Sequence, residues 1–240
     1  MGFQTVFKRY ELKYMLTAEQ KKKVLSAMEN HMSPDQYGRV TIRNVYFDTD
    51  NYRLIRRSIE KPAYKEKLRI RSYCHADPDS DVFVELKKKY KNVVYKRRLS
   101  MPEEAAMRWV CGEHLHCMHN QISEEVDYFI SYYQNLQPAA FISYEREAFC
   151  AKDKSDFRVT FDDNILARQK DMSLESEIYG VPLLPEGKTL MEIKCSGGIP
   201  MWMSKTLSEE HIYKMSFSKY GTAYRTLIYP ELKREGIYNV

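Results

Sequence analysis

The sequence lacks the short motifs from which many enzyme activities are read. It has no GxSxG elbow, no HExxH zinc pair and no pair of CxxC motifs. Its one glycine-rich stretch, "SGGIP", lacks the Lys-Ser/Thr ending of a phosphate-binding loop and reads as a turn. No run of about 18 apolar residues occurs, so no membrane-spanning helix is expected in this chain. The opening "MGFQTVFKRYELKY" has no apolar stretch behind a basic start, which argues against a secretory leader. Cysteine is sparse: Cys74, Cys111, Cys117, Cys150 and Cys195 are odd in number and scattered. In a chain too long to need staples they predict reduced thiols and a cytoplasmic protein. No repeat, low-complexity tract or linker divides the chain, so one domain over residues 1–240 is expected, burying roughly 70% of its unfolded surface.

What the sequence has in quantity is charge, 30% of its residues, at a formal net charge of only +5. So small an excess says little about partners; the placement of the charges says more. In "KEKLRIRSY", Lys65, Lys67, Arg69 and Arg71 fall at every second position, with Leu68 and Ile70 between the last three. The same period of two recurs in "VFKRYELKYML", "RVTIRNVYFDT", "DVFVELKKKY", "NVVYKRRLS", "AFISYEREAFC", "DFRVTFDD" and "TLMEIKCS", making eight strand candidates. Polar breaks such as "HADPDS" and "KYKN" suit hairpins, so the sheet is expected to be largely antiparallel. Helices are expected in "TAEQKKKVLSAMENHM", where Thr17 and Gln20 form a capping box, and in "PEEAAMRWVCGEH" and "SEEVDYFISYYQNL". A shorter one is expected from Ser218 to a stop before Pro230.

One face of each strand is polar: Arg9, Glu11 and Lys13; Lys65, Lys67, Arg69 and Arg71; Glu85, Lys87 and Lys89; Lys96 and Arg98; Arg158 and Thr160; Glu192 and Lys194. The reverse faces are apolar, apart from Arg97. A sheet with its charged side in water accounts for any one strand, but not for both signs recurring at matched alternation. An α+β fold accounts for all of them: an eight-stranded antiparallel β-barrel with a basic lumen and helices packed on the outside. Such a lumen repels itself when empty and calls for an anion. Arginine and lysine are the usual phosphate ligands. The minority carboxylates Glu11, Glu85 and Glu192 are hard oxygen donors suited to Mg²⁺ or Mn²⁺ bridging phosphate oxygens.

With "KRYELKY", "VYFDT", "LRIRSY", "FVELKKK", "VYKRRL", "SYEREAF", "RVTFD", "LMEIKCSGGIPMWM" and "FSKYGTAY" in this order, the chain resembles a VTC domain. That is the polyphosphate polymerase domain within the triphosphate tunnel (CYTH-like) superfamily, and the resemblance runs from about residue 3 to about 229. It implies an eight-stranded tunnel holding a triphosphate or polyphosphate. It implies that Arg9 and Lys13 bind phosphate, that Arg69 and Arg71 bind the phosphates of ATP, and that Lys87, Lys96 and Arg98 line the wall. Arg146 and Arg158 match further phosphate-binding arginines. Glu192 matches the metal-holding carboxylate, with Lys194 beside it, and Ser218 and Lys219 match a pair near the tunnel's end. Arg69, Arg71, Lys87 and Glu192 are thereby the expected catalytic set.

Where the wider superfamily opens on ExExK, this chain reads Arg9, Glu11, Lys13, as VTC-type members do, which favours a polymerase over a triphosphatase. Arg146 alternates with Glu145 and Glu147, so a bulge or a particular register is needed to turn it inward. The sequence shows neither the SPX domain nor the membrane helices of the eukaryotic complex, and a separate membrane partner stays open. Three classes remain: a metal-dependent polymerase using ATP, a hydrolase of inorganic or nucleoside triphosphates, and a polyphosphate-binding module without activity. Nucleic acid is not expected, because aromatics and cations lie on opposite faces. Cys111, His114, Cys117 and His119 include zinc-ligating types, but no second ligand pair supports them.

Overall fold

A computed structural model of the chain describes residues 6–7, 10–91, 93–113 and 120–236. In chain order its strands are β1 (Val6–Phe7), β2 (Tyr10–Thr17), β3 (Met32–Pro34), β4 (Val40–Asp48), β5 (Tyr64–Ser72) and β6 (Asp81–Tyr90). They continue with β7 (Val93–Pro102), β8 (Gln137–Ala151), β9 (Arg158–Arg168), β10 (Val181–Pro182), β11 (Lys188–Cys195) and β12 (Lys214–Met215). The helices are α1 (Ala18–Met28), α2 (Arg53–Ile59), α3 (Glu103–Val110), α4 (Gln121–Tyr133), α5 (Met201–Glu209), α6 (Lys219–Ala223) and α7 (Tyr229–Arg234), with a π-helical turn at Tyr224–Ile228 between the last two.

All the strands join one antiparallel sheet, and each of the eight alternating segments is one of its strands. The α+β class therefore holds, but the closed eight-stranded barrel is corrected. The sheet has 12 strands in the order β1-β7-β6-β5-β4-β8-β9-β11-β2-β12, with β3 beside β8 and β10 beside β9. The additional strands are β1, which lies within the alternating segment that begins at Val6, and β3, β10 and β12, pieces of two or three residues that alternation cannot reveal. Among the described residues no ladder joins the two ends of this path. Val6–Phe7 pairs with β7 and Tyr10–Thr17 with β11, so the N-terminal segment touches both ends. The sheet still curls, as twisted sheets do. Lys87 Nζ on β6 reaches Glu11 Oε2 on β2 at 3.1 Å.

Helix placement is corrected as well. α1 and α5 cover the apolar side of β2, β9 and β11 around Val24, Phe161, Ile193 and Met203. α3 and α4 cover β5 to β7 around Leu68, Leu86, Trp109 and Phe129. α2, α6 and the π-helical turn, however, pack on the inward side: Ile55, Tyr220 and Tyr224 meet Ile42, Tyr46 and Tyr144 there, and Tyr46 shares its face with Arg69. That inner face is apolar at one end, and it needs covering as much as the outer ones do. The last helix also runs past Pro230. The π turn resets the register so that proline, which has no N–H to donate, falls in the first turn of α7.

The Thr17 capping box forms as read: its side chain accepts from Gln20 N at 3.1 Å, and Gln20 Oε1 accepts from Thr17 N at 3.0 Å. Thr17→Ala is expected to cost about 1 kcal/mol, a fall of roughly 2–4 °C in Tm for a chain of this size. Thr17→Ser should restore most of it, as thermal denaturation would show; an unchanged Tm in Thr17→Ala contradicts the cap.

Candidate active site

On β5 the inward row runs Lys65, Lys67, Arg69, Arg71, and antiparallel pairing sets Arg69 against Glu85 and Glu85 against Arg98. Glu85 is 1% exposed and its two oxygens are fully engaged. Arg69 donates to Oε2 through Nε (2.9 Å) and Nη2 (2.6 Å), Arg98 Nε donates to Oε1 at 2.8 Å, and Lys96 Nζ lies 2.7 Å from Oε1. Arg71 stands 3.9 Å away. Burial pushes this carboxyl up, but Arg69 and Arg71, then Lys96 and Arg98, outweigh it and hold it well below the carboxylate range.

Across the sheet a second cluster gathers on β2, β8, β9, β11 and α6. No bulge in β8 is needed to turn Arg146 inward: it shares its face with Tyr144 in an unbroken register against β4, and the shift opposite Ser143–Glu145 takes up its extra residue on β9. Arg146 is bidentate to Asp162 at 2.6 and 2.7 Å and lies 3.6 Å from Glu192. Lys219 Nζ donates to Asp162 at 2.5 Å and lies 3.4 Å from Glu192, while Lys13 (3.3 Å) and Lys194 (3.8 Å) complete the surround of Glu192. Burial lifts Glu192, but Lys219, Lys13, Lys194 and Arg146 together hold it well below its usual range.

Two contacts connect the clusters. Arg71 donates to Tyr144 Oη at 2.9 Å, and Lys219 sits 4.4 Å over the same ring. On the other side, Glu11 pairs with Lys87 at 3.1 Å and with Lys13 at 3.4 Å. The result is a band of alternating charge around the curled face. α6 is fixed from behind by buried Asp48, which accepts from Thr49 N, Leu54 N, Ile55 N and Tyr220 Oη at 2.8–2.9 Å. Ser218 caps α6 through Gly221 N at 3.1 Å. A side chain at Gly221 would press within 3.1 Å of that hydroxyl.

Of the expected site residues, Lys13, Arg69, Arg71, Lys87, Glu85, Lys96, Arg98, Arg146, Glu192, Lys194, Ser218, Lys219 and Glu11 converge on this band. Arg158 does not join it: its side chain is largely exposed and donates to Asp35 at 3.0 Å. Arg9 lies outside the described residues, as do His114, Cys117 and His119, while Cys111 is exposed. The reading from sequence missed Asp162, although it stands next after Arg158 and Thr160 in the β9 alternation. It also missed Tyr46, Asn44 and Tyr144, which hold Arg69 and Arg71 and carry no charge to signal a role. Arg97, the exception to the pattern, faces outward and pairs with Glu125 on α4 at 3.0 Å.

No group of three His, Cys, Asp or Glu side chains surrounds a common point among the described residues. The donor set still suits a magnesium-like ion, which commonly takes one or two carboxylates and completes its shell with substrate phosphate and water. Glu192 and Asp162 flank Lys219. Thr160, the register partner of Glu192, has a buried Oγ1 with no hydrogen-bond partner. All four carboxylates, Glu11, Glu85, Asp162 and Glu192, are paired with cations, so a metal here would share Glu192 and Asp162 with Lys219 and Arg146.

The VTC domain family model matches residues 8–228. A protein from Bacillus halodurans provisionally assigned as an adenylate cyclase shares the fold, with a TM-score of 0.57 at 14% identity over 93% of this chain and 100% of that one. A provisionally assigned adenylyl cyclase from Hippeastrum, described as having a dominant triphosphatase activity, gives 0.48 at 15% identity over 90% and 96%. A sequence comparison with curated proteins finds no match.

Among the described residues Lys67 has no carboxylate partner; its Nζ donates to Ser218 Oγ at 2.9 Å. Burial, then Lys13, Lys87, Lys65 and Arg69, lower it to about 7; burial first also lowers Lys96 to about 7 and Lys194 to about 8, against the pull of Glu85 and Glu192. A bound polyanion raises these values. Below about pH 7 Lys67 is charged with or without it, and above about pH 7 binding takes up a proton, so affinity falls as pH rises. Calorimetry of inorganic tripolyphosphate at pH 8 in buffers of different ionisation enthalpy is expected to show net proton uptake. No uptake, or an affinity that rises above pH 7, contradicts this picture.

Proposed function

Because the chain belongs to the VTC domain family, we propose that it is a metal-dependent polyphosphate polymerase that transfers the γ-phosphate of ATP to the end of a growing chain. An ionised terminal oxygen of the acceptor attacks the γ-phosphorus, the bond from that phosphorus to the β–γ bridging oxygen breaks, and ADP leaves. Such a transfer needs in-line positioning and charge neutralisation more than covalent help. Arg69 and Arg71, braced by Tyr46, Asn44 and Tyr144, hold the donor phosphates. Arg146 and Lys219 face them from the opposite wall. Lys13, Lys87 and Lys194 receive the acceptor where the lumen is more open, for the Lys87 side chain is 41% and that of Lys194 30% exposed. Mn²⁺ or Mg²⁺, held by Glu192 with Asp162 beside it, would neutralise charge on the transferring group and on the leaving diphosphate.

The observation that carries the choice of acceptor is the pairing of the carboxylates: Glu11 lies 3.1 Å from Lys87 and 3.4 Å from Lys13, and Glu85 and Glu192 are each surrounded by cations. Water as acceptor would need one of them to take its proton, and Glu11, the most accessible of Glu11, Glu85 and Glu192, is the candidate. Burial raises Glu11, but Lys87, Lys13 and Lys194 bring it below the carboxylate range despite Glu192. Such a group is a weak base. A phosphate acceptor arrives already ionised and needs none.

Incubation with ATP and Mn²⁺, with and without a short polyphosphate primer, is expected to give a ladder of polymer with matching ADP. Arg69→Ala should lose on the order of 10²-fold in rate, by comparison with removal of one preorganised electrostatic donor. Glu192→Gln should lose at least as much and shift the metal dependence. Free phosphate without polymer would replace the polymerase with a triphosphatase. Binding of polyphosphate with neither product would leave a binding module.

A further inference from the structure

The inward row of β5 does not finish on a cation. The next residue on that face after Arg71 is Tyr73. On β6 the partner of Arg71 is Phe83, which pairs in turn with Ser100, one step beyond Arg98 on β7. Tyr73 and Phe83 meet edge to face with centroids 5.6 Å apart. Arg98 lies 4.4 Å over the Phe83 ring and donates to Tyr73 Oη at 2.8 Å, and Arg71 lies 5.9 Å over the Tyr73 ring. Tyr73 is nevertheless 39% exposed, on a face where Tyr46 and Tyr144 are buried.

The opposite end of the row is held by the chain itself. Lys65 Nζ donates to the Ser58 carbonyl of α2 at 3.3 Å, and Lys67 reaches Ser218 at the start of α6. A phosphate chain lying along this row therefore has a covered end and an aromatic end. An inorganic polyanion has no use for an aromatic ring beside its cations. A nucleotide has one, since its base carries a π face next to its phosphates.

We infer that Tyr73, backed by Phe83 and fixed by Arg98, is the platform on which the base of the donor nucleoside triphosphate stacks, a reading that rests on the phosphate-binding role given to this face above. Arg71 and Arg98 then take the phosphates nearest the sugar. The step from Arg71 to Tyr73 along the strand is roughly 7 Å, room for a ribose between phosphate and ring. Stacking tolerates every base, so the platform separates nucleoside triphosphates from inorganic triphosphate and discriminates little between adenine and guanine.

The test compares the affinities of ATP and inorganic tripolyphosphate for wild type, Tyr73→Ala and Tyr73→Phe, with circular dichroism to establish folding. Tyr73→Ala is expected to weaken ATP by roughly 5- to 150-fold and to leave tripolyphosphate within about twofold, while Tyr73→Phe keeps ATP near wild type. Equal losses for both ligands in Tyr73→Ala, or no loss for either, overturn the platform and leave the phosphate site standing. If wild type binds neither ligand, the phosphate-binding reading fails first. Photolabelling of wild type with 8-azido-ATP gives an answer that needs no variant. Label in the segment 72–83 supports the platform, and label confined to Lys65, Lys67 or α6 overturns it.

Discussion

Glu85 is a single carboxylate, sealed from water, with Arg69, Arg71, Lys96 and Arg98 around it. Everything else about the curled face depends on how that excess of positive charge is managed. Removing one partner from a buried ion pair costs several kcal/mol, because the remaining charge keeps its desolvation penalty and loses its compensation. Glu85 cannot balance four cations, and Asp162 with Glu192 cannot balance Arg146, Lys219, Lys13 and Lys194. The protein accommodates the remainder by lowering the affinity of Lys67, Lys96 and Lys194 for protons. A face built this way carries more positive charge than its carboxylates balance, and the proposed polyanion would supply the rest.

The neutral residues decide whether that electrostatic arrangement is preorganised. Asn44, Tyr46 and Tyr144 each give an oxygen to a guanidinium, so Arg69 and Arg71 are aimed before any ligand arrives. Asp48 holds Tyr220, Tyr220 stacks on Tyr46 with centroids 4.9 Å apart, and the neighbouring Lys219 and Ser218 are thereby delivered to the inner face. Donors fixed in advance need no reorganisation when charge moves, which is where most electrostatic catalysis comes from. The inward packing of α2 and α6 therefore serves the site as well as the core.

Much of this was legible in the sequence because strands write their two faces at a period of two. The eight alternating segments are the eight long strands, and the Thr17 capping box stands where it was read. What escaped has identifiable causes. Strands of two or three residues carry no period, so β3, β10 and β12 were invisible, and β1 was read as one strand with β2. α2 begins from Tyr52 in the left-handed region with no side-chain cap of its own, and Asp48 at the end of β4 serves its N–H groups from six and seven residues upstream, outside the usual N-cap spacing. Arg158 kept the right alternation but reached Asp35, since register assigns a face and not the direction of a long side chain. Asp162 continues the β9 alternation after Thr160, but a single aspartate in a strand does not by itself distinguish a buried ion-pair partner from a solvated charge. Its partner Arg146 faces inward with Tyr144 by alternation alone; that this face of β8 is the inner one is set by its pairing with β4 and β9.

A structure of the protein soaked with inorganic tripolyphosphate tests most directly whether the basic inner face seats the phosphate chain. Phosphates are expected between Arg69 and Arg71 on one wall and Lys219, Arg146 and Lys13 on the other, within hydrogen-bonding distance of Lys67. A different basic groove lies on the outer face, where Lys21, Lys22, Arg39 and Lys188 line the space beside α1. Density for the anion there, with the inner face unchanged, would contradict an inner-face seat.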